Sequence, residues 1–160
     1  MSRLALLAAC LLLGACTPSP PIVLEVGSPS GDVVYARRAV EPGDRVIYRF
    51  VHSVSRTPVE ETWEVVNGPS GAGLRLRRIV YQASGAGLPS SPEAPGATFE
   101  RTADGFVVDG LDRAIGLPLD LRVTPAAENA ITVGGETIDL TRLRGPSPGA
   151  PVSLVRLTLG

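Results

Sequence analysis

In RVIYRFVHS, residues 45–53, alternate positions differ in character: Val46, Tyr48 and Phe50 are apolar or aromatic, whereas the positions between and beside them include Arg45 and Arg49. A period of two is typical of a β-strand with one face in a core, and the more aromatic face is then the inner one. The segment EETWEVV, residues 60–66, alternates in the same way. The predicted inner faces carry Val46, Tyr48, Phe50 and His52 on the first segment and Glu61, Trp63 and Val65 on the second. Together the two segments predict a half-buried β-hairpin.

The register of this hairpin follows from its aromatic residues, because cross-strand aromatic pairs are favourable. Pairing Phe50 with Trp63 also matches the two inner faces, and it places His52 opposite Glu61. A shift of two residues would instead place His52 against Trp63. We therefore predict that the single histidine of the chain lies beside a carboxylate at the mouth of the core.

The rest of the chain also has strand character. Short runs rich in Val, Ile, Leu, Tyr and Phe are separated by Gly, Pro, Asp and Ser clusters, and a tight hairpin is expected around Gly134-Gly135. The best helical candidate is one turn at 111–115. This pattern predicts a single all-β domain, a small antiparallel β-sandwich or barrel. The predicted strands are 22–26, 33–40, 45–53, 60–66, 74–81, 98–101, 105–108, 119–123, 130–133, 136–140 and 152–159.

One long segment interrupts the strands. Residues 82–97 consist mainly of Gly, Pro, Ser and Ala. A loop of this length inside a compact domain is either functional or disordered.

The N-terminus predicts export. Arg3 precedes ten apolar residues, 4–13, and the tetrapeptide LGAC then ends at Cys16. This arrangement is typical of a secretory signal peptide, and the apolar run is shorter than the roughly 20 residues that a membrane-spanning helix needs. LGAC resembles the lipobox of bacterial lipoproteins, in which the cysteine is lipidated and the chain is cleaved just before it. Ordinary secretion with a free thiol at Cys16 is the alternative.

Three segments follow from this interpretation: a signal peptide at 1–15, a lipidated Cys16 with a proline-rich tether at 16–21, and one β-domain at 22–160. The lipid, such as palmitate, would attach the domain to a membrane of the cell envelope, facing the periplasm. Thr17 stands where many lipoproteins retained in the inner membrane have aspartate, which favours the outer membrane.

Composition excludes several classes of function. All fifteen basic residues are arginine, sixteen residues are acidic, and the net charge of −1 gives no support to nucleic-acid binding. Cys10 lies in the predicted signal peptide, so Cys16 alone remains, and a disulfide, a thiol nucleophile and a cysteine metal cluster are excluded. One histidine is too few for a zinc site of three or four ligands. We expect no metal and no cofactor.

Three hypotheses account for His52 and Glu61. In the first, the two residues belong to a non-catalytic module that binds a small organic anion or a partner protein. In the second, they belong to a hydrolase or lyase in which His52 is the general base and Glu61 orients it. In the third, the pair only fixes a loop within a structural envelope factor. Ser53 points to the opposite face from His52 and cannot be its catalytic partner. The further groups that could contribute are Arg49, Arg56, Ser53 and Glu60.

The segments HSV (52–54), TPVEE (57–61) and GAGLP (85–89), with Trp63, make the chain resemble the bacterial family called domain of unknown function 1850, from about residue 24 to the C-terminus. The resemblance implies a small exported protein with no established activity. It also implies a gene often found beside a tripartite ATP-independent periplasmic transporter of the TAXI type, so a transporter component is a further expected partner. The residues it marks are His52, Ser53, Glu60, Glu61, Trp63, Gly85, Gly87, Leu88 and Pro89.

Overall fold

A computed structural model describes residues 20–143 and 154–160, and within them a β-strand lies at each predicted position. The predicted signal peptide, Cys16 and most of the tether lie outside the described residues. The strands are β1 (Ile22–Gly27), β2 (Val34–Val40), β3 (Arg45–Val51), β4 (Pro58–Gly68), β5 (Gly71–Tyr81), β6 (Thr98–Thr102), β7 (Gly105–Ile115), β8 (Leu119–Arg122), β9 (Ala130–Val133), β10 (Glu136–Asp139) and β11 (Leu154–Leu159). Two short 3-10 helices, η1 (Pro125–Ala127) and η2 (Leu140–Arg142), follow β8 and β10.

The strands form two open antiparallel sheets. One has four strands in the order β2-β1-β11-β8, and the other has seven in the order β10-β9-β3-β4-β5-β7-β6. Because neither sheet closes on itself, the fold is a β-sandwich and not a barrel. At the sheet edges Arg38 Nη2 lies 2.6 Å from Glu136 Oε2, so an ion pair joins β2 of one sheet to β10 of the other.

The core fills the space between the inner faces of the two sheets. Both predicted inner faces of the hairpin are confirmed, because Val46, Trp63 and Val65 are each at most 1% exposed. The largest fully buried side chains are Trp63, Tyr81, Leu24, Leu74, Leu76, Ile131, Leu140, Leu157, Val26, Val40, Val46 and Val59.

The predicted helical turn at 111–115 is wrong, whereas the predicted hairpin at Gly134-Gly135 is confirmed. Strand β7 runs through 111–115, and its register against β5 shifts between Leu76 and Arg78. A bulge of this kind changes which residues face inward, so the spacing of the apolar residues resembles a helical one. Gly134 and Gly135 have φ of 58° and 81°, as a type I′ turn between β9 and β10 requires.

The sandwich has two distinct ends. At the entry end, residues 20–22 lead into β1 and share a cleft with Val40, Asp44 and Asn67. The loop between β3 and β4 lies at the opposite, distal end, since β3 begins at the entry end and runs away from it. The seven residues of β3 separate the two ends by about 23 Å at roughly 3.3 Å per residue.

Candidate functional site

The predicted register of the β3–β4 hairpin is wrong by four residues. Tyr48, not His52, lies opposite Glu61, and Val46 lies opposite Trp63. The loop has the expected six residues but lies two positions earlier in the chain, at 52–57, where the His52 N–H donates to Thr57 O at 2.9 Å and closes it directly after the strands. His52 and Glu61 therefore lie four strand positions apart, about 13 Å at the usual rise, and do not form the predicted pair.

His52 is instead held by two other segments. Its Nδ1 lies 3.2 Å from the backbone N of Ser55 and its Nε2 lies 3.1 Å from the carbonyl oxygen of Ala86. A backbone N–H can only donate and a carbonyl can only accept. This hydrogen-bond pattern therefore assigns the acceptor role to Nδ1 and the donor role to Nε2, and both nitrogens are used within the protein. Its side chain is buried, with 9% of the residue exposed.

The second half of this contact comes from residues 82–97, which we call the cover segment. A Cβ at Gly85 would lie 2.8 Å from His52 Cε1, so only glycine allows the backbone to approach the ring this closely. The Leu88 N–H donates to Gly85 O at 3.1 Å, and Leu88 packs against the core. Pro89 accepts a hydrogen bond from the Tyr81 hydroxyl through its carbonyl. The structure thus brings the HSV and GAGLP segments together.

Glu61 belongs to a different polar cluster, on the inner face of the sheet, and is half-buried. Its Oε2 accepts a hydrogen bond from Trp63 Nε1 at 2.9 Å. Burial raises the pKa of Glu61, against the opposing effects of the Trp63 hydrogen bond and the charge of Arg113. On the facing strand β3, Tyr48 Oη accepts a hydrogen bond from Asn129 Nδ2 at 2.7 Å, and burial raises the pKa of Tyr48 to about 12. These groups are satisfied internally and lie apart from His52.

The remaining predicted site residues lie in different places, some on the outer face of the sheet and others in the loops. Arg49 Nε lies 2.7 Å from Glu60 Oε2, so these two residues neutralise each other on the outer face of the sheet. Ser53 and Arg56 are exposed in the loop. Gly87 has a φ of +85°, a turn conformation that favours glycine.

Arg56 has an unusual conformation. Its φ is +55°, a left-handed value that is uncommon for residues other than glycine. Its backbone N–H donates to His52 O at 2.9 Å, while its guanidinium has no hydrogen-bond or ion-pair partner among the described residues. The left-handed turn therefore projects a free cationic group from the loop.

A small cavity of about 240 Å³ opens beside this loop. It lies between the end of β3, the loop and η1, and Arg56 is its one charged lining residue. Sequence reasoning did not find the contribution of η1, because Thr124, Ala126 and Ala127 carry no distinctive chemistry. Within the described part of the chain, no three His, Cys, Asp or Glu side chains are grouped as a metal site requires. The lining residues are Val51, His52, Ser53, Arg56, Thr124, Ala126 and Ala127.

No helix among the described residues is both long and apolar enough to cross a bilayer. A family model described as "Domain of unknown function (DUF1850)" matches residues 46–140, more than half of the chain, and this range contains the cavity and the cover segment. Searches of curated proteins and of solved structures gave no match. The family resemblance seen in the sequence is confirmed, and the chain belongs to the domain of unknown function 1850 family.

Proposed function

We propose that this protein is a lipid-anchored, non-catalytic binding module of the bacterial cell envelope, which holds a small organic anion in the cavity beside Arg56 and assists solute uptake by a TAXI-type transporter. The observation that carries the anion site is the free guanidinium of Arg56, a residue that lines the cavity from a left-handed turn. Backbone strain of about 1–3 kcal/mol is typical of such residues and concentrates at functional sites.

The chemistry of the cavity indicates an acid with a single carboxylate. The planar guanidinium of arginine matches a carboxylate through two parallel hydrogen bonds. Since Arg56 is the one charged lining residue, a second negative charge would stay uncompensated. The volume of about 240 Å³ is below the roughly 300–1,000 Å³ of pockets for drug-sized ligands. Val51 and the alanines of η1 would contact a short apolar chain, so a short-chain monocarboxylate fits best.

The anchor rests on the N-terminal sequence, and the fold adds an orientation. A proline-rich tether of six residues, 16–21, reaches about 19 Å at 3.1 Å per residue and leads to the entry end. The cavity lies at the distal end, one strand length further from the bilayer. It would therefore face the periplasm and stay accessible to a soluble receptor.

The geometry gives no comparable support to the hydrolase or lyase hypothesis. Glu61 does not orient His52, because Trp63 Nε1 is its hydrogen-bond donor and it lies opposite Tyr48. A general base needs a free lone pair within reach of its substrate. In His52 the lone pair on Nδ1 accepts from Ser55. The third hypothesis, a role in fixing the loop, is compatible with an adjacent binding site.

The anion site is tested by substituting Arg56 with glutamine and titrating butyrate by calorimetry. Loss of a charge-assisted hydrogen bond is worth about 1.5–3 kcal/mol, so Arg56→Gln should weaken butyrate binding by roughly tenfold or more. Arg49→Gln is the matched control, because Arg49 is paired with Glu60 on the outer face and its loss should leave the affinity unchanged. Equal affinities of wild type and Arg56→Gln, or no binding by wild type, would contradict the proposal.

The anchor is tested by substituting Cys16 with serine in the full chain expressed in a Gram-negative host. We expect the protein to move almost completely from the membrane fraction to the soluble fraction and to lose incorporation of labelled palmitate. Cys10→Ser is the control, since Cys10 lies within the signal peptide and should leave both results unchanged. Retention of Cys16→Ser in the membrane with its label would exclude lipidation at this position.

A further inference from the structure

We propose that His52 is a positioning residue which couples the cover segment to the anion cavity, so that binding of an anion and docking of the cover segment stabilise each other. This inference rests on the proposed function and adds a regulation of the same site. It follows from the contacts that leave the imidazole in two directions, one toward the loop that carries Arg56 and one toward Gly85 and Ala86.

On the loop side, His52 determines where Arg56 lies. The backbone oxygen of His52 accepts from the Arg56 N–H at 2.9 Å, and its backbone N–H donates to Thr57 O at 2.9 Å. The ring adds the acceptor Nδ1 for Ser55 N at 3.2 Å. Ser55 Oγ, also 3.2 Å from Nδ1, bonds to Thr57 Oγ1 at 2.9 Å. The turn that projects Arg56 is therefore built around this one residue.

On the cover side, the ring lies in direct contact with backbone. Its Nε2 donates to Ala86 O at 3.1 Å. The space that a side chain at Gly85 would occupy is filled by the atoms of the His52 ring. Leu88 and Pro89 then continue this contact into the core. Departure of the cover segment would expose the imidazole and remove its Nε2 partner, so the ring would lose the constraint that aims Nδ1 at Ser55.

Thermodynamic linkage makes this coupling reciprocal. An anion that holds Arg56 in place stabilises the loop and, through the ring, the contact with Ala86. It should then reduce opening of the cover segment, which is measured as slower amide exchange. The Leu88 amide is a suitable reporter because its N–H bonds to Gly85 O within the same contact.

Two substitutions separate the two directions. In His52→Asn, the amide oxygen stands close to the position of Nδ1 and can accept from Ser55, but nothing reaches Ala86. In His52→Gln, the amide nitrogen stands close to the position of Nε2 and can donate to Ala86, but the acceptor for Ser55 is lost. Each variant thus keeps one of the two contacts.

The experiment measures butyrate affinity by calorimetry and exchange of the Leu88 amide with and without butyrate. In wild type, saturating butyrate should slow Leu88 exchange at least threefold. The two variants should rank in opposite orders in the two measurements. His52→Gln should bind butyrate about tenfold more weakly than His52→Asn. In butyrate-free protein, the Leu88 amide should exchange faster in His52→Asn than in His52→Gln. A purely structural role would rank them in the same order by both measurements.

Wild-type protein that binds butyrate without any change in Leu88 exchange would overturn the inference and leave the proposed function intact. The same conclusion would follow from identical rankings of the two variants. Wild-type protein that binds no butyrate would refute both proposals, and the missing heat of binding distinguishes that result. Because the exchange measurement on wild type needs no substitution, the inference can be tested even if neither variant folds.

Discussion

Strands β3 and β4 carry polar groups on both faces of the seven-stranded sheet, and the two faces use them differently. On the inner face, the buried Tyr48 accepts a hydrogen bond from Asn129, and the half-buried Glu61 accepts one from Trp63. On the outer face, ion pairs such as Arg49–Glu60 lie in contact with water. The same two strands therefore hold inner polar groups with little water available to replace a lost partner and outer polar groups with ample water.

This difference determines how each face tolerates change. A buried polar group that loses its partner keeps its whole desolvation penalty, about 1–3 kcal/mol. An exposed ion pair contributes about 0–1 kcal/mol, because water and salt compensate both charges when it breaks. The inner polar groups should therefore influence stability far more than the more numerous charges outside.

The largest effect on the free energy of unfolding is expected at Tyr48. Tyr48→Phe removes the acceptor for Asn129 Nδ2, and Asn129 is only 2% exposed. We expect a loss of about 1–3 kcal/mol in the free energy of unfolding, measured by urea denaturation. Tyr35→Phe is the control, because Tyr35 packs on the core and its hydroxyl has no hydrogen-bond partner among the described residues. Equal stabilities of the two variants would mean that the inner hydrogen bond is no stronger than contact with solvent.

A smaller effect, with a characteristic pH dependence, is expected at Glu61. Burial raises the pKa of Glu61 in the folded protein, so the folded state binds this proton more tightly than the unfolded state. Wild type therefore gains stability as pH falls through the folded-state pKa, until the unfolded chain also protonates near pH 4.3. Glu61→Gln, which can still accept from Trp63, should be more stable than wild type at pH 7.5, with an advantage that disappears on acidification.

On the outer face, the pH dependence of stability should have the opposite sign. Hydrogen bonding from Arg75 lowers the pKa of Asp112, so its stabilisation is present at neutral pH and is lost as pH falls. Asp112→Asn should therefore be less stable than wild type at pH 7.5, and the difference should shrink in acid. Unfolding curves of both variants between about pH 2 and 8 test both predictions, because the stabilisation by Asp112 is lost only below the usual aspartate pKa of about 3.9. Differences from wild type that stay constant with pH would contradict the assignment of these pKa shifts.

The sequence was sufficient for the strands and their faces because both depend on a period of two. The error in hairpin register shows why: Phe50 was predicted opposite Trp63, yet the true shift of four residues is even and leaves every inner residue on the inner face. The position of the loop along the chain is set by local hydrogen bonds, such as that from His52 N to Thr57 O, which alternation does not encode.

The candidate site was harder to predict because its parts are far apart in the chain. The histidine and the GAGLP segment were both singled out, but nothing in the spacing shows that Gly85 lies against the ring of His52. The left-handed φ of Arg56 also gave no signal, since arginine is not a typical residue for that conformation. Contacts across more than thirty residues require the tertiary fold.

The smallest effect is expected for the outer ion pairs themselves. Arg77 Nε lies 2.9 Å from Glu64 Oε2, and Arg77 also pairs with Asp112. Because these side chains are at least a third exposed, Arg77→Gln should lower the free energy of unfolding by about 0–1 kcal/mol, and by less at 1 M salt. A double-mutant cycle with Glu64→Gln isolates the coupling of the pair. A coupling above about 2 kcal/mol that persists in high salt would show that the outer face behaves like the inner one, and the contrast between the two faces would then fail.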